Sequence, residues 1–385
     1  FNWSNLSVAG KTSLGLLNTG TLTDFIRGDR SNEGPSGYRE RESILGDFIN
    51  TNPVFAKDAS DSANANIPTV GSSYGAYVNG VKKTRFGVLY VGGNDGMLHA
   101  FKETRGASPS EDGKEIFAYV PRAVYPNLAN LASRTYGTTD NYHTYFVDGP
   151  LRDVDVYLTS GTTGWRNYLF GSLGAGGRGV YALDITDPTA LGTNTIRWEV
   201  NSLSESELGH VLFPVEAGVL PNGKWVAVFG NGYGGASGKA FLFVVDVATG
   251  EVQKLAVAPS VSNNGLGGVA VLKNESGQIV NLYAGDLQGK LWKFEYSSAA
   301  ASGFAIANGG AAMASATTSS GTVQSIIQPP VLFDHSQGGK IVVFGSGKLI
   351  TEADADSSTV QTMYGIRDKQ PEALTMPFTR SNLVE

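Results

Sequence analysis

The sequence contains no cysteine among its 385 residues. This absence excludes thiolate catalysis, zinc or iron–sulfur sites held by cysteine, and stabilisation by disulfides. There is no apolar run of 18 residues either, so no membrane span is expected. Charged residues make up only 17% of the chain and the net charge is −6, which argues against binding to phosphate backbones or anionic lipids. Nucleic acid is therefore not an expected partner.

The sequence also begins without a start signal and shows little helical periodicity. The chain begins at Phe1 without an initiator methionine or a charged leader, which favours a mature or excised fragment of a longer protein. One short helix is predicted over residues 125 to 134, with Leu128 and Leu131 on one face. The rest of the pattern belongs to β structure.

Glycine is abundant, with 50 residues, and it marks a repeated unit. Five apolar runs each end in a glycine: Leu89 to Gly92, Tyr168 to Gly171, Ala227 to Gly230, Leu282 to Gly285, and Val342 to Gly345. The glycines recur at intervals of about 55–80 residues, longer than the ~40–50 of a plain four-stranded propeller blade. Blades that carry loop insertions would account for this spacing.

Each of the first four runs leads through a short turn into a second apolar strand, as in a β-hairpin. Glycine is expected there because tight hairpin turns require positive φ. Asp246 to Gly250 predicts an Asx-turn into an outer strand over residues 251 to 255. Further strands are predicted upstream of the hairpins, opened by Pro68, Pro214 and Pro330. Four strands per unit are typical of a blade.

The sequence thus predicts an all-β fold, a modified β-propeller with loop insertions and a short helix. Seven blades are predicted, with six as the alternative. Residues 1–385 are interpreted as a single propeller domain. The small-residue tract 298–321 is interpreted as a low-complexity surface excursion between blades.

Several long phrases closely resemble the C-terminal domain of the PilY/PilC family. They are Leu89 to Phe101, Gly176 to Asp184, Lys224 to Tyr233, Tyr283 to Trp292, Arg27 to Ser31, Leu45 to Asn50, and Gly345 to Lys348. The resemblance runs from residue 27 to at least residue 368. It implies a C-terminal β-propeller that follows an adhesive N-terminal region in a longer protein.

The resemblance also implies a function. Members of this family are associated with the tip and assembly of type IV pili at the surface of Gram-negative bacteria. They influence pilus extension and retraction, twitching motility, attachment and virulence. The implied partners are pilin-like components and the N-terminal adhesive region, contacted by blade loops and by insertions such as residues 103–114 and 185–196.

Many family members place an Asp-rich calcium loop before the strand that corresponds to Tyr283 to Asp286. Here the stretch from Leu272 to Asn281 has almost no carboxylates, and Lys273 would oppose a cation. The residues left as candidate metal ligands are Asn274, Glu275 and Asn281. The sequence predicts no tightly bound cofactor and favours an ordinary hairpin turn, with calcium at this degenerate loop as the alternative.

Residues Arg27, Gly28 and Asp29 spell the tripeptide by which many extracellular ligands bind integrins. They are candidate receptor-binding residues, with a host integrin as the partner, provided that they lie on an exposed turn. A purely structural turn is the alternative, because a tripeptide is a weak signal by itself.

Enzymatic patterns are also present, but their contexts argue against them. Gly71 to Gly75 spells a nucleophile elbow, yet the residues after it predict strand and turn where a helix is needed. Gly230 to Gly235 spells a dinucleotide fingerprint but leads into another strand. The alternative function is a quinoprotein-type dehydrogenase on a related propeller, because Asp246 to Gly250 resembles a phrase of those enzymes. An outer-membrane assembly scaffold shares the fold but lacks the family phrases, and a non-enzymatic role is favoured.

Overall fold

A computed structural model describes residues 3–14, 20–369 and 376–383. Most of its regular structure is β-sheet, and its helices are few and short. Contacts divide the chain into two compact units. The first comprises Phe1–Ser60, Ser72–Asp155 and Trp165–Glu205, and the second Asp61–Gly71, Val156–Gly164 and Ser206–Glu385. The interpretation of residues 1–385 as a single propeller domain stays a prediction.

Two four-stranded sheets belong mainly to the first unit, and each has its strands in chain order. Sheet A consists of β1 (Val54–Ala56), β2 (Gly87–Gly92), β3 (Leu98–Glu103) and β4 (Glu115–Tyr119). Sheet B consists of β5 (Leu151–Leu158), β6 (Gly164–Ser172), β7 (Gly179–Asp184) and β8 (Ile196–Asn201).

The second unit contains three sheets. Sheet C consists of β9 (Glu216–Val219), β10 (Trp225–Gly230), β11 (Ala240–Asp246) and β12 (Val252–Val257). Sheet D consists of β13 (Leu266–Lys273), β14 (Ile279–Asp286), β15 (Lys290–Tyr296) and β16 (Phe304–Ile306), with β17 (Ala314–Ser315) also paired to β15. Sheet E consists of β18 (Val331–Asp334), β19 (Lys340–Gly345) and β20 (Met363–Asp368).

The helical segments lie before the first sheet, between strands or, for one 3-10 segment, after the last strand. The α-helices are α1 (Val8–Ser13), α2 (Gly20–Ile26), α3 (Tyr74–Tyr77), α4 (Leu128–Ala132) and α5 (Glu352–Ala355), and a π-helical turn spans Val78–Lys82. The 3-10 segments are Trp3–Asn5, Ser62–Asn66, Pro109–Glu111, Arg122–Asn127, Gly174–Gly176, Thr193–Thr195, Asn308–Gly310 and Arg380–Asn382. None of the helices in the described part of the chain has both the length and the apolar composition needed to cross a bilayer.

Strands β2, β6, β10, β14 and β19 end at or next to the five glycines of the repeated phrase, and the four predicted hairpins are confirmed. Positive φ is confirmed at glycines of the four hairpin turns, namely Gly96, Gly174, Gly238 and Gly289. The five glycines that end the runs have another role, because none of them has positive φ. A Cβ at Gly92 would lie 2.2 Å from the Val147 carbonyl oxygen, and one at Gly230 would lie 2.2 Å from that of Gly267. Both glycines therefore allow the segment entering the next sheet to approach closely.

Consecutive strands that pair into four-stranded sheets are the organisation predicted for propeller blades. The Asx-turn is also confirmed, because the Asp246 carboxylate accepts hydrogen bonds from the Ala248 and Thr249 amides at 2.9 Å. The described residues contain five sheets, so neither seven blades nor six is confirmed.

Apolar cores fill each unit. In the first, Tyr90, Leu98, Phe146 and Tyr181 from sheets A and B and the segments joining them are fully buried in one cluster. In the second unit, residues of sheets C and D form another buried cluster, in which Phe294 is fully buried. Helix α4 adds Leu128 and Leu131 to the first core, which confirms the predicted apolar face, although the α-helix begins later than predicted and ends at Ala132.

The tract 298–321 is more structured than a surface excursion. Strand β16 completes sheet D against β15, and β17 pairs with the same strand. Phe304 and Met313 are almost entirely buried. The surface interpretation is wrong for residues 304–316, because small residues between these anchors permit close packing and do not indicate exposure.

Two local predictions near residue 75 are wrong. The residues directly after Pro68 form no strand, and the first strand of sheet A is β1, which ends before Pro68. Residues 76–80, predicted as strand and turn, belong to α3 and the π-helical turn. The reason is tertiary: this helical turn places Lys82 at 2.7 Å from the buried Asp155 carboxylate, which also accepts a hydrogen bond from the Tyr74 hydroxyl at 2.6 Å.

Candidate functional site

The Arg27-Gly28-Asp29 tripeptide forms the C-terminal cap of α2. The Asp29 amide donates to the Asp24 carbonyl and the Gly28 amide to the Phe25 carbonyl, both at 2.9 Å, which is the Schellman pattern. Gly28 has φ of 104°, a conformation that glycine adopts without strain. The side chains of Arg27 and Asp29 are exposed. The structure therefore places both charged groups on an exposed turn, which receptor recognition requires.

Local hydrogen bonds hold the Asp29 carboxylate in place. Its Oδ1 accepts the Ser31 amide at 2.6 Å. Hydrogen bonds from the Ser31 side chain and backbone lower the pKa of Asp29 below its ordinary value. The group is thus a carboxylate at neutral pH.

The buried Arg41 guanidinium stabilises the turn by hydrogen bonds to backbone carbonyls. It donates to the Phe25 carbonyl at 2.7 Å and to the Asp29 carbonyl at 3.0 Å. It also pairs with Glu33 at 2.6 Å and lies over the Phe25 ring. One side chain therefore joins helix α2, the tripeptide and the following segment.

The Leu45 to Asn50 segment has no regular secondary structure, yet both of its ends are anchored by buried carboxylates. The Gly46 amide donates to Asp95 at 2.7 Å. The Asn50 amide and side chain donate to Asp148 at 3.0 and 2.6 Å. Between them, the Asp47 carbonyl accepts the Asn94 amide. The backbone is consequently fixed by groups in the β2–β3 turn of sheet A and in the segment that precedes β5 of sheet B.

Large apolar side chains of this anchored segment face solvent. Three of its residues and two neighbours are each at least 39% exposed, and we term them the apolar face: Leu45, Phe48 and Ile49, with Ile44 and Tyr145. Tyr145 adjoins the others through His143, whose ring lies 5.4 Å from Tyr145 and whose Nε2 is 3.0 Å from Asp47. Four of these exposed apolar residues fall within the six positions 44–49. Such a concentration on a fixed backbone is typical of a surface that binds another macromolecule.

His99 strengthens the anchor at Asp95. Its Nε2 lies 3.0 Å from both Asp95 oxygens and its Nδ1 lies 2.5 Å from Glu115. Burial alone would lower the pKa of His99, but the hydrogen bonds to Asp95 and Glu115 outweigh burial and raise it to about 9. The imidazolium is therefore charged at neutral pH and compensates the carboxylate that holds Gly46.

The candidate calcium loop closes the β13–β14 hairpin. The Asn274 side-chain oxygen accepts the Ser276 and Gln278 amides, both at 3.0 Å, and its side-chain nitrogen donates to Gln278. Glu275 is exposed, and Asn281 lies within strand β14. Among the described residues, no group of three or more His, Asp or Glu side chains is arranged to hold a metal ion. Calcium binding at these residues stays a prediction.

Two other sequence patterns and one further carboxylate have structural roles. Ser73, the central residue of the elbow-like phrase, accepts the Ala76 amide as the N-cap of α3, and a bend, with no strand, precedes it. Gly230 to Gly235 leads into β11 as predicted. The Asp354 carboxylate accepts the Thr351 amide at the start of α5, and a hydrogen bond from Lys348 lowers its pKa.

The insertion 185–196 borders a groove of about 580 Å³ between the outer strands of sheets A and B. Tyr119, Tyr125 and Ile196 line it, with Arg122 and Glu199 among the polar residues. Glu199 accepts the Tyr119 hydroxyl at 2.7 Å and the Arg122 amide at 2.9 Å, so its carboxylate joins the two sheets.

The sequence does not reveal the apolar face, because Leu45 to Asn50 stands out there only as a family phrase. The signal was the pairing of Ile44-Leu45 and Phe48-Ile49 within a segment that contains glycine, aspartate and asparagine. Such a pattern predicts a loop, and apolar pairs in a loop are noteworthy. Only the structure shows that they are exposed.

Comparisons with known proteins agree with the strand organisation. The family model of the PilY1 beta-propeller domain matches residues 45–385 of this chain. The crystal structure of the Pseudomonas aeruginosa PilY1 C-terminal domain superposes with a TM-score of 0.66 at 36% identity, over 81% of this chain and 64% of that one. The all-β modified propeller is thereby confirmed.

Curated relatives give the same result. The type IV pilus biogenesis factor PilY1 of Pseudomonas aeruginosa strain PAK is 37% identical over 93% of this chain and 32% of its own length. A PilY1 homolog from Xylella fastidiosa strain Temecula1 is 36% identical over 94% of this chain and 28% of its own length. The chain therefore spans about a third of the length of these relatives.

Proposed function

The chain belongs to the PilY1 β-propeller family, and from that premise we propose that it acts as a non-enzymatic module of type IV pilus biogenesis and tip adhesion. In this proposal it influences pilus extension and retraction, twitching motility and attachment to surfaces or host cells. It works at the cell surface, at the pilus tip of a Gram-negative bacterium. The names of the relatives, type IV pilus biogenesis factors, support the pilus role.

The observation that carries the proposal is the anchored apolar face. Two buried carboxylates, Asp95 and Asp148, hold the backbone of a segment that places Phe48 and Ile49 in solvent. Exposing apolar side chains gains nothing for folding, whereas a partner that covers them gains the free energy of their burial. We assign this face to a pilin-like component of the pilus.

The test uses the full-length protein in its own bacterium, with Phe48→Ser and Ile49→Ser combined. Surface pili and attached cells are counted separately. Loss of pili would indicate assembly, and normal pili with failed attachment would indicate adhesion. The matched control is Leu349→Ser, because Leu349 is an exposed apolar residue of the second unit. Unchanged counts in the double variant would overturn the assignment of the face.

The exposed turn supports a second contact, between Arg27-Gly28-Asp29 and a host integrin. The expected mechanism is that the Asp29 carboxylate meets the receptor's metal while Arg27 meets an acidic partner. Asp29→Glu keeps the charge but moves it, so binding to purified integrin should be lost. Asp356→Glu, at another exposed position, is the control. Equal binding by both variants would end the integrin proposal while leaving the pilus role intact.

The non-enzymatic assignment has its own test. The purified chain is incubated with pyrroloquinoline quinone and calcium, and dye reduction is followed with alcohols and aldose sugars. No turnover is expected. Sustained turnover that requires the quinone would replace the proposal with the dehydrogenase alternative.

A further inference from the structure

Sheet E has three strands in the described part of the chain, whereas sheets A to D have at least four. In each of those four sheets, the third strand pairs on its far side with a fourth strand: β4, β8, β12 and β16. The corresponding side of β20 has no partner strand among the described residues. We term this side of β20 the open edge.

The described residues that follow β20 do not fill this position. The Phe378 amide donates to the Met313 carbonyl at 2.9 Å. The Ser315 amide in turn donates to the Phe378 carbonyl at 2.8 Å. This segment therefore pairs with β17 of sheet D and not with β20.

The strand register shows which backbone groups face the open edge. The Ser346 amide donates to the Thr362 carbonyl at 2.9 Å, just before the paired residues of β19 and β20. Because hydrogen-bonded and non-bonded pairs alternate in an antiparallel ladder, the amides and carbonyls of Tyr364 and Ile366 bond to β19. Those of three other residues point away from β19: Met363, Gly365 and Arg367.

These three residues present a row of unused backbone groups. Within the described ranges, none of their amides and carbonyls takes part in a hydrogen bond. They recur at every second residue, about 7 Å apart. A row of donors and acceptors at this spacing matches the backbone of one extended strand, as in strand addition to a sheet edge. The open edge therefore fits a polypeptide segment better than it fits a small ligand.

The side chains beside this edge form an exposed apolar face. Val331 and Phe333 of β18 are 54% and 55% exposed, and Met363 is 78% exposed. The register places all three on one face of sheet E, together with Ile341 and Val343, and we term these five residues the open face. Exposed apolar residues at this density are typical of a surface that another polypeptide covers.

Strand β20 lacks the usual protection of an exposed edge. Such edges often carry lysine or proline, and β20 contains neither. The Arg367 guanidinium donates to the Gln337 and Gly338 carbonyls at 2.8 and 3.1 Å. Asp368 pairs with Lys293 at 2.9 Å. Both charges of the strand are bound to other parts of the second unit, so neither is placed to repel an incoming strand.

The source of the missing strand is argued from the other sheets and from the relatives. Sheets A to D all take their fourth strand from the same polypeptide. The chain spans about a third of the length of its curated relatives, so a full-length protein of that size has further polypeptide to contribute. A segment of the same molecule also has a high effective concentration at this edge.

We propose that an extended segment of the same full-length polypeptide, outside these 385 residues, pairs with the open edge as the fourth strand of sheet E. Its backbone would exchange hydrogen bonds with Met363, Gly365 and Arg367. Residues flanking the added strand would cover the open face. The inference concerns sheet E alone and does not depend on the pilus role.

The first test is backbone hydrogen exchange of the purified full-length protein, resolved to single residues by mass spectrometry. The Met363, Gly365 and Arg367 amides should exchange at least about tenfold more slowly than the Ala256 amide, the effect of roughly one hydrogen bond. Ala256 is the internal reference, because its amide points away from β11 at the edge of sheet C, which already has four strands. Equal exchange rates would overturn the proposal.

Gly365→Pro removes the central outward amide without removing a bond to β19. In this variant the Met363 and Arg367 amides should exchange about tenfold faster than in the wild type. Ala256→Pro, the same change at the edge of sheet C, is the matched control and should leave both amides protected. Circular dichroism and thermal unfolding establish that each variant folds. Unchanged protection in folded Gly365→Pro would contradict strand addition.

A photocrosslink identifies the occupant and decides the matter if Gly365→Pro does not fold. A benzophenone amino acid replaces Met363 in the purified full-length protein, and mass spectrometry identifies the captured peptide after irradiation. Capture of a peptide of the same molecule from outside these 385 residues is the expected result. A crosslinked dimer, a peptide from within these residues, or capture only after another protein is added would overturn the proposal.

Discussion

The carboxylate of Asp148 accepts two hydrogen bonds from Asn50, a residue 98 positions earlier in the chain. Asp148 is 1% exposed, so its charge depends on these donors for compensation. Asn50→Ala should therefore lower the free energy of unfolding by about 2 kcal/mol or more, because a buried carboxylate loses a charge-assisted hydrogen bond. Urea unfolding measures this change. Asn79→Ala, at an exposed position, serves as the control, and equal stability of the two variants would contradict the anchoring role.

A second prediction concerns the buried Arg41. Arg41→Met keeps most of the side chain's volume but removes the pair with Glu33 and the donors to the Phe25 and Asp29 carbonyls. Since one member of a buried ion pair is then left alone, the free energy of unfolding should fall by about 3 kcal/mol. Arg27→Met, at the exposed turn, should change it by less than about 0.5 kcal/mol. Thermal and urea unfolding of both proteins decide the matter.

A third prediction follows from the raised pKa of His99, which is about 9 in the folded chain against 6.5 for the ordinary group. The charged form is favoured by folding, so its contribution is fully present below pH 6.5 and is lost as the pH rises through 9. The contribution is on the order of 3 kcal/mol. The stability difference between the wild type and His99→Gln should therefore be largest at pH 6 and shrink towards pH 9.5. A difference that does not change with pH would show that His99 is not charged in the fold.

A fourth prediction tests the cap of helix α2. Gly28→Ala places a Cβ at positive φ and 2.8 Å from the Ile44 Cγ2 atom. We expect a loss of about 1–2 kcal/mol of stability, together with displacement of Ile44 from its place in the apolar face. Gly113→Ala is a matched control, because Gly113 also has positive φ but nothing lies within 4 Å of its Cβ position. Equal losses in both variants would show that the positive φ alone, and not the contact with Ile44, causes the destabilisation.

A fifth prediction concerns the β13–β14 hairpin. Asn274→Ala removes the acceptor of two backbone amides and should destabilise the chain by about 1 kcal/mol. If the turn does not depend on a metal, calcium should neither bind tightly in a calorimetric titration nor change this loss. Stoichiometric, tight calcium binding that Asn274→Ala abolishes would assign the ion to this loop.

The strand order could be predicted from the sequence because the glycine phrases recur with apolar strands on both sides. The structural reason for the glycines that end these phrases could not be predicted. Gly92 and Gly230 look like turn residues in the sequence, whereas each admits a carbonyl from the segment entering the next sheet. Such close approaches join residues far apart in the chain, which no local pattern records.

The candidate site was predictable only in part. The exposure of Arg27 and Asp29 fits the helix-capping glycine between them, and that glycine is visible in the sequence. The apolar face was not predictable, because its fixed position depends on Asp95 and Asp148, and neither residue is near Asn50 in the chain. The helix at residues 74–77 was missed for the same reason, since its position depends on Asp155.

The Leu45 to Asn50 segment is held mainly through its backbone. The side chains that it exposes are therefore largely independent of the hydrogen bonds that anchor it. Gly46 is bound by its amide, and only Asn50 contributes a side chain to an anchor. Ile49 can therefore be changed without removing an anchor, and so can Phe48 apart from its edge-on contact with the His99 ring. In an engineered chain, the same two positions offer a place to graft foreign recognition residues.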